Sequence, residues 1–484
     1  MPSVASAVSP ARRVAAAVLR RVEQDGAYAD RALAGEAVRA GLQPREYGFA
    51  TALAYGAVQR RRTLDHVIER LARRPVDQLD PVVRDALRLG VLQLLFFDGV
   101  AAHAAVDQSV ELAKAGGGFG HKLVNAVLRR VPREGPKLLA ALNDRRPRGA
   151  ALLNSVPDWL ARLWWQALGA DDARALLAHV NLPAETALRV NTLVADPAEI
   201  AAELGERGVQ TGPAAMGEPL PEALVVDGAF DLRGDPLFAA GALVAQSRAA
   251  MLATRLLAPA PGARVLDLCA APGGKTTHLA ALVAGARPTG GSDTDVASSA
   301  GADGTEAALA AAPGIVVAVE RHPGRAEALR ETARRLHADG IVTVETGDAS
   351  VPREGDAESY DAVLVDPPCS GLGTLQGRPD LRWRASEAAI DELAELQGQI
   401  LAAGAAALKP GGTLIYVTCT ISPRENDRVV QRFLSERLGA SFVLDDLGAA
   451  HPQLRSRLEP RTLQLLPHRD GTDGFYLARL RRVL

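Results

Sequence analysis

The chain has 484 residues, 48% apolar and 23% charged, with a formal net charge of −2, a make-up that excludes disordered, fibrous and membrane-embedded classes. Its three cysteines are too few, and odd in number, for a disulfide framework, so a reducing cytoplasm is the expected setting. The charge is unevenly spread: residues 1–150 carry +9 and the rest −11. That split fits either a first part that meets a polyanion or a solvated arginine-rich surface.

The N-terminus, MPSVASAVSPARRVAAAVLRRV, lacks the charged-then-apolar order of a secretion signal. Residues 10–132 show apolar spacings of three and four. The pattern predicts helices over Arg12–Val22, Arg45–Arg60, Leu64–Leu71, Pro81–Phe97, His103–Ala115 and His121–Val131. The apolar stretch LGVLQLLFFDGVAAHAAV is interrupted by Gln93 and Asp98. It is too short for a bilayer, and a buried helix is expected. An all-α bundle of six or seven helices, residues 1–145, is the result, ending near the link NDRRPRG.

From Pro157 the pattern changes to a small α+β module, residues 155–245. PDWLARLWWQALG is helical, ALRVNTLV and ALVVDG are strands, and a helix runs from Pro197 to Arg207. Trp164 and Trp165 lie at helical spacing and belong to a core more readily than to a base-stacking surface. From Gln246 to the end, strands such as ARVLDL, GIVVAVE, IVTVETGD, YDAVLVD and GGTLIYVT alternate with helices. That alternation predicts a parallel, doubly wound α/β domain. Residues 286–314, rich in Gly, Ser, Thr, Asp and Ala, are expected to form a surface insertion.

CAAPGGKTT follows the first of these strands and opens a helix. A phosphate-binding loop would need a glycine where Cys269 stands, and the G-x-G-x-x-G dinucleotide pattern is absent. S-adenosylmethionine, which has no pyrophosphate, remains, beside the plain alternative of a tight turn. Glu320 closes the second strand, where a carboxylate can hold ribose hydroxyls, and Asp348 closes the third, where it can face an adenine amino group. Either could instead cap a helix.

DPPC places a thiol, Cys369, where amino-group methyltransferases commonly carry an aromatic. A thiol suggests carbon chemistry. C5 of a pyrimidine takes a methyl group only after a thiolate has added to C6 and made C5 enamine-like. Cys419 follows the GGTLIYVT strand, and Ser422 with Glu425 fits a capping box with Pro423 at the first helical position. Such a helix start beside Cys419 is expected to favour its thiolate. Two buried structural cysteines are the bland alternative, and Cys269 is read as structural.

Taken together, DLCAAPGGKT, DPPCSG, YVTCT and the closing DGFYLARL resemble the RNA cytosine-C5 methyltransferases of the Sun/NOL1/NOP2 family. ARRVAAAVLRRV and KLVNAVLRRV resemble the NusB-like RNA-binding domain. LRVNTL and DPLFAAGALVAQS resemble the family's RRM-like intermediate region. The resemblance implies a Rossmann-like methyltransferase domain, S-adenosylmethionine as cofactor and small-subunit (16S) rRNA as partner. No membrane, no metal and a monomeric state are expected.

The resemblance further implies that Cys419 attacks C6, Cys369 assists resolution of the adduct and Asp366 bonds the cytosine edge. Cys269, Ala270, Ala271, Pro272, Gly273, Gly274, Lys275, Glu320, Asp348 and Asp366 would line the cofactor site. Arg60, Arg61, Arg62, Arg129 and Arg130 are candidate RNA contacts. The chain departs from the family in Glu320 for Asp, Thr420 for Ser, and Gln246-Ser247 for Gln-Asp. A tRNA-directed enzyme of the same superfamily and a non-catalytic assembly factor are the competing readings.

Overall fold

The computed structural model describes residues 8–115, 120–217, 219–228, 230–285 and 314–483. The expected insertion, 286–314, lies outside them except for Gly314. The chain forms two compact units, Met1–Pro183 with Thr374–Glu387, and Ala184–Gly373 with Ala388–Leu484.

The first unit is helical. Amphipathic segments Pro10–Gln24, Ala29–Ala40, Pro44–Gln59, Arg61–Ala72 and Pro81–Phe96 bury Ala, Val, Leu and Ile in a shared core. Asp80 starts the last of these: its carboxylate accepts from the Val82 and Val83 amides, with Pro81 in the first turn where its missing N–H costs nothing. This is the interrupted apolar stretch. Gln93 is buried within it and accepts from Arg12 Nε at 2.9 Å, while Arg88 grips Asp65 through two bonds of 2.7 and 2.8 Å. Among the described residues no helix is long and apolar enough to cross a membrane.

Helix Asp158–Leu168 packs on Pro147–Leu153 and Ala170–His179 and buries Trp164 completely. By contacts it groups with the helical unit, and it lies just after residue 155, where the α+β module was expected to begin. Helical spacing alone cannot say against which neighbours an apolar face closes.

Thr374–Glu387 joins this unit although the chain reaches it from the α/β domain. Arg382 is fully buried there and donates to the carbonyls of Gln59, Ser155, Val180 and Leu375 and to Asn181 Oδ1. Trp383 Nε1 donates to the Val58 carbonyl at 2.8 Å, and Arg384 lies over the Tyr28 ring.

The second unit holds two sheets. Strands β1 (Thr186–Val190), β2 (Thr211–Ala215), β3 (Pro219–Val226) and β4 (Leu243–Ala245) form an antiparallel sheet of order β2-β3-β1-β4. Helix Pro197–Glu206, capped by Asp196, covers it. The LRVN stretch ties this sheet to its neighbour. Arg189 donates to Gln246 Oε1 at 2.7 Å and Thr277 Oγ1 at 2.9 Å, and Asn191 donates to the Gly241 and Leu336 carbonyls.

The larger sheet uses β5 (Arg264–Leu268), β6 (Ile315–Glu320), β7 (Val342–Thr346), β8 (Tyr360–Val365), β9 (Leu408–Thr418), β10 (Phe442–Leu444), β11 (Leu463–Gln464) and β12 (Tyr476–Arg482). Its order is β10-β12-β9-β8-β5-β6-β7, with β11 on β12. Strands β5 to β9 are parallel, but β12 runs antiparallel between β9 and β10, so the sheet is mixed rather than wholly parallel. Apolar runs read the same in either direction, which is why the reversal was not legible. The strand order reverses at β5, and ligands of such sheets bind beyond the carboxyl ends of the strands at that point.

Candidate active site

The first strand of the parallel set ends at Leu268 and delivers Cys269 to its carboxyl end. Cys269 adopts φ +66°, a left-handed backbone that side chains rarely tolerate. Gly273 follows at φ +103°, and a Cβ there would overlap Leu329 Cδ1. These turns bring the loop over β6, where the Ala270 amide donates to the Val319 carbonyl at 3.0 Å, before helix Gly274–Ala284 begins. Beside Gly274 a Cβ would meet only Gln246, at 3.9 Å, so its backbone stays open to a neighbour.

Acidic groups gather at this loop. Burial pushes the Cys269 thiol up, and Asp366, Asp267 and Glu320 push it further in that direction. Three carboxyl groups thus surround this sulfur, two of them paired with the cations Lys275 and Arg325. One oxygen of Asp267 is buried without a hydrogen-bond partner. Glu320 is 3% exposed, accepts from the His322 amide at 3.0 Å and lies 3.4 Å from Arg325. Its strand pairs in parallel with both neighbours, β5 and β7. Asp348 follows β7. Bonds from the Ser350 hydroxyl and amide hold its carboxyl below the usual range.

Asp366 follows β8 and accepts from Lys275 Nζ at 2.7 Å. Burial opposes the Lys275 charge, but the contact with Asp366 outweighs it and raises the ammonium. The Phe475 ring centroid lies 5.3 Å from Lys275 Nζ. Cys369 and Cys419 then stand at the ends of paired strands β8 and β9, with their sulfurs 3.3 Å apart and in hydrogen-bond contact. The Cys369 thiol is pushed well up by that contact, by burial, and by the neighbouring Cys419, Glu425 and Asp366 groups. A thiol held protonated at Cys369 can donate its S–H toward the Cys419 sulfur.

The expected capping box is absent. The helix after Cys419 begins at Asp427, and the Ser422 hydroxyl makes no bond. The Glu425 carboxylate points away from it, to Ser370, because that amide and hydroxyl offer it two donors at once.

Three family models match the chain: the 16S rRNA methyltransferase RsmB/F model over residues 254–295 and 291–481, the NusB family over 9–133, and an RsmF/B-like ferredoxin-like domain over 156–233. A probable ribosomal RNA small subunit methyltransferase B of Synechocystis sp. is 34% identical over 98% of this chain and 99% of its own.

The chain belongs to the RsmB/F family of 16S rRNA methyltransferases.

A similarly described Bacillus subtilis protein is 31% identical over 97% of this chain and 98% of its own. The crystal structure of PH0851 superposes with a TM-score of 0.76 at 27% identity, covering 98% of this chain and 99% of that one. Two of the departures from the RsmB/F resemblance have hydrogen-bonded places in this chain. Ser247 caps helix Arg248–Leu257 through its hydroxyl, a task an Asp performs equally, and the Thr420 hydroxyl contacts Ser370 Oγ at 2.7 Å.

The candidate RNA arginines are mostly occupied inside the helical unit. Arg60 covers the Phe96 ring, Arg61 covers Trp383, Arg62 bonds the Val156 carbonyl and Asp158, and Arg130 bonds Glu134 and the Leu71 carbonyl. Arg129 alone of the five is exposed. Lys122, Arg133 and Lys137, which sequence reasoning passed over, are also exposed. Gly373 and Gly474 were missed as well. The Gly373 amide donates to the Cys419 carbonyl at 2.9 Å, and a Cβ on Gly373 would overlap the Gly474 carbonyl. The glycines of CSGLG and DGFYLARL were the available signal.

Proposed function

We propose that this protein methylates C5 of a cytosine in 16S rRNA through a covalent cysteine–C6 adduct. The observation that carries the reading is the Cys369–Cys419 pair, 3.3 Å apart at the ends of adjacent parallel strands. S-adenosylmethionine supplies a methyl group on a positively charged sulfur. Cys269 to Lys275, Glu320, Asp348 and Asp366 would hold it.

Cys419 Sγ bonds to C6, and the C5=C6 electron pair makes C5 the nucleophile that takes the methyl group. Asp366, steadied by Lys275, bonds the cytosine edge. The C5 proton then leaves to a nearby base as C5=C6 re-forms and the Cys419 sulfur is expelled. The 3.3 Å contact between the two sulfurs supports Cys369 as the group that assists this release. Assigning the attack to Cys419 rather than Cys369 rests on the family resemblance of the YVTCT stretch and on the place of Cys419 directly after β9, 3.3 Å from the Cys369 sulfur.

The test separates the two sulfurs. With 16S rRNA and S-adenosylmethionine, Cys419→Ser is expected to form no 5-methylcytosine and no slow band on a denaturing gel. Cys369→Ala is expected to attack, stall at release and accumulate the slow band. A band from Cys419→Ser and none from Cys369→Ala would reverse the roles. Methylation at another atom, read by mass analysis of nucleosides, would overturn the reaction.

A further inference from the structure

Glu425 and Asn426 have no part in the reaction as assigned, yet both are fully buried beside the two thiols. The Glu425 carboxylate accepts from the Ser370 amide at 2.7 Å, the Ser370 hydroxyl at 2.6 Å, Gln397 Nε2 at 3.2 Å and the Thr420 hydroxyl at 3.3 Å. Gln397 Nε2 also donates to the Pro368 carbonyl at 2.9 Å, and the Tyr416 hydroxyl donates to the Glu425 carbonyl at 2.6 Å. Asn426 accepts from the Thr418 hydroxyl at 2.6 Å and donates to the Thr420 carbonyl at 3.1 Å.

These bonds bracket each sulfur. Residues 368 and 370 lie on either side of Cys369, and 418 and 420 on either side of Cys419. The dipeptide therefore holds the residue after Cys369 and the residues on both sides of Cys419 directly, and Gln397, itself bonded to Glu425, holds the residue before Cys369. Four donors converge on two carboxylate oxygens, an arrangement only an acceptor-only group satisfies in full. Burial raises the Glu425 carboxyl while the bonds from Ser370, Gln397 and Thr420 oppose that rise.

We propose that Glu425 is a positioning residue for the two-thiol reaction, setting the separation of Cys369 and Cys419 by acting through Ser370 and Thr420. The inference rests on the reading that both thiols take part in methyl transfer. A merely structural Glu425 would affect stability and leave the thiol spacing in the folded fraction unchanged.

The experiment reads thiol spacing without RNA. Phenylarsine oxide binds two thiols at once only when they stand close together. Intact mass and titration should show one equivalent bound across Cys369 and Cys419 in the wild type. Glu425→Ala is expected to weaken this binding by about tenfold or more as the second thiol's effective concentration falls. Its single-turnover methyl transfer should fall by about 100-fold, the scale of a 1 Å misplacement. S-adenosylmethionine affinity should not change.

Glu425→Gln should restore most of the arsenical binding, because the Ser370 and Thr420 hydroxyls can turn to accept from an amide. Should Glu425→Ala fail to fold, Ser370→Ala is the second variant, expected to weaken arsenical binding in the same direction but less. Wild-type arsenical affinity and methyl-transfer rate in folded Glu425→Ala, or in folded Ser370→Ala where the first does not fold, would overturn the proposal. Loss of arsenical binding supports it even if the wild type makes no 5-methylcytosine, an outcome that overturns only the reaction assigned above.

Discussion

Asp267 stands two residues before Cys269 and is 1% exposed, with Thr276 Oγ1 bonded to one carboxyl oxygen at 2.7 Å. Burial pushes its carboxyl up to about 7, against the Thr276 bond and with help from Asp366. Between its ordinary value and about 7 the folded state keeps a proton that the unfolded state has released, so stability falls as pH rises through that window. The full effect is on the order of 4 kcal/mol. Asp267→Asn is expected to remove this slope. The melting temperature of the variant should gain on the wild type from pH 5 to pH 8, and parallel curves would show that the carboxyl is ionised throughout. The sequence displayed Cys369 and Cys419 plainly, because a thiol after Asp-Pro-Pro has few other uses. It did not display Glu425 correctly, since Ser422, Pro423 and Glu425 satisfy a local rule that long-range donors override.

Thr374–Glu387 is the element least expected from the sequence. It begins five residues after Cys369, yet its Arg382 donates to five acceptors inside the helical unit. Among the described residues its acceptors are four carbonyls and one amide oxygen, with no carboxylate. Replacing the guanidinium leaves buried carbonyls without donors, each worth about 1–3 kcal/mol when orphaned. Arg382→Met is therefore expected to destabilise the helical unit by about 2–4 kcal/mol. Hydrogen exchange should show faster exchange across residues 376–384 and little change in β5 to β9. Wild-type protection of the segment would mean that Trp383 and Arg384 anchor it without Arg382. The sequence RPDLRWR carries the residues, but nothing in its spacing says that they face helices 200 to 350 positions away.

At the scale of the whole molecule, the positive first part suits a polyanion, and the family to which the chain belongs is one of 16S rRNA methyltransferases. Charge counting over 1–150 could not separate arginines that bind phosphate from those that hold the bundle together. Four exposed residues, Lys122, Arg129, Arg133 and Lys137, are free of the deep internal bonds that occupy Arg62 and Arg130. Changing all four to Glu is expected to lower rRNA affinity. It should also reduce the slope of log affinity against log salt by about 0.7 for each single-strand phosphate no longer neutralised. The melting temperature should hardly move, since exposed pairs such as Arg133–Glu134 contribute little. An unchanged salt slope would place the RNA on another face.

The sequence by itself determined the order of helical, α+β and α/β segments, because apolar periodicity is a local property of each segment. It also displayed the thiols and the CAAPGGK loop, because each stands in a short contiguous stretch of the chain. Only the tertiary structure decided which neighbours each segment meets: the antiparallel entry of β12, the transfer of Thr374–Glu387 to the helical unit, and the turn of Glu425 from its own helix to Ser370. Each of these depends on where a distant donor, acceptor or apolar face happens to lie. A chain read one residue at a time carries periodicity and chemistry, but not distance in space.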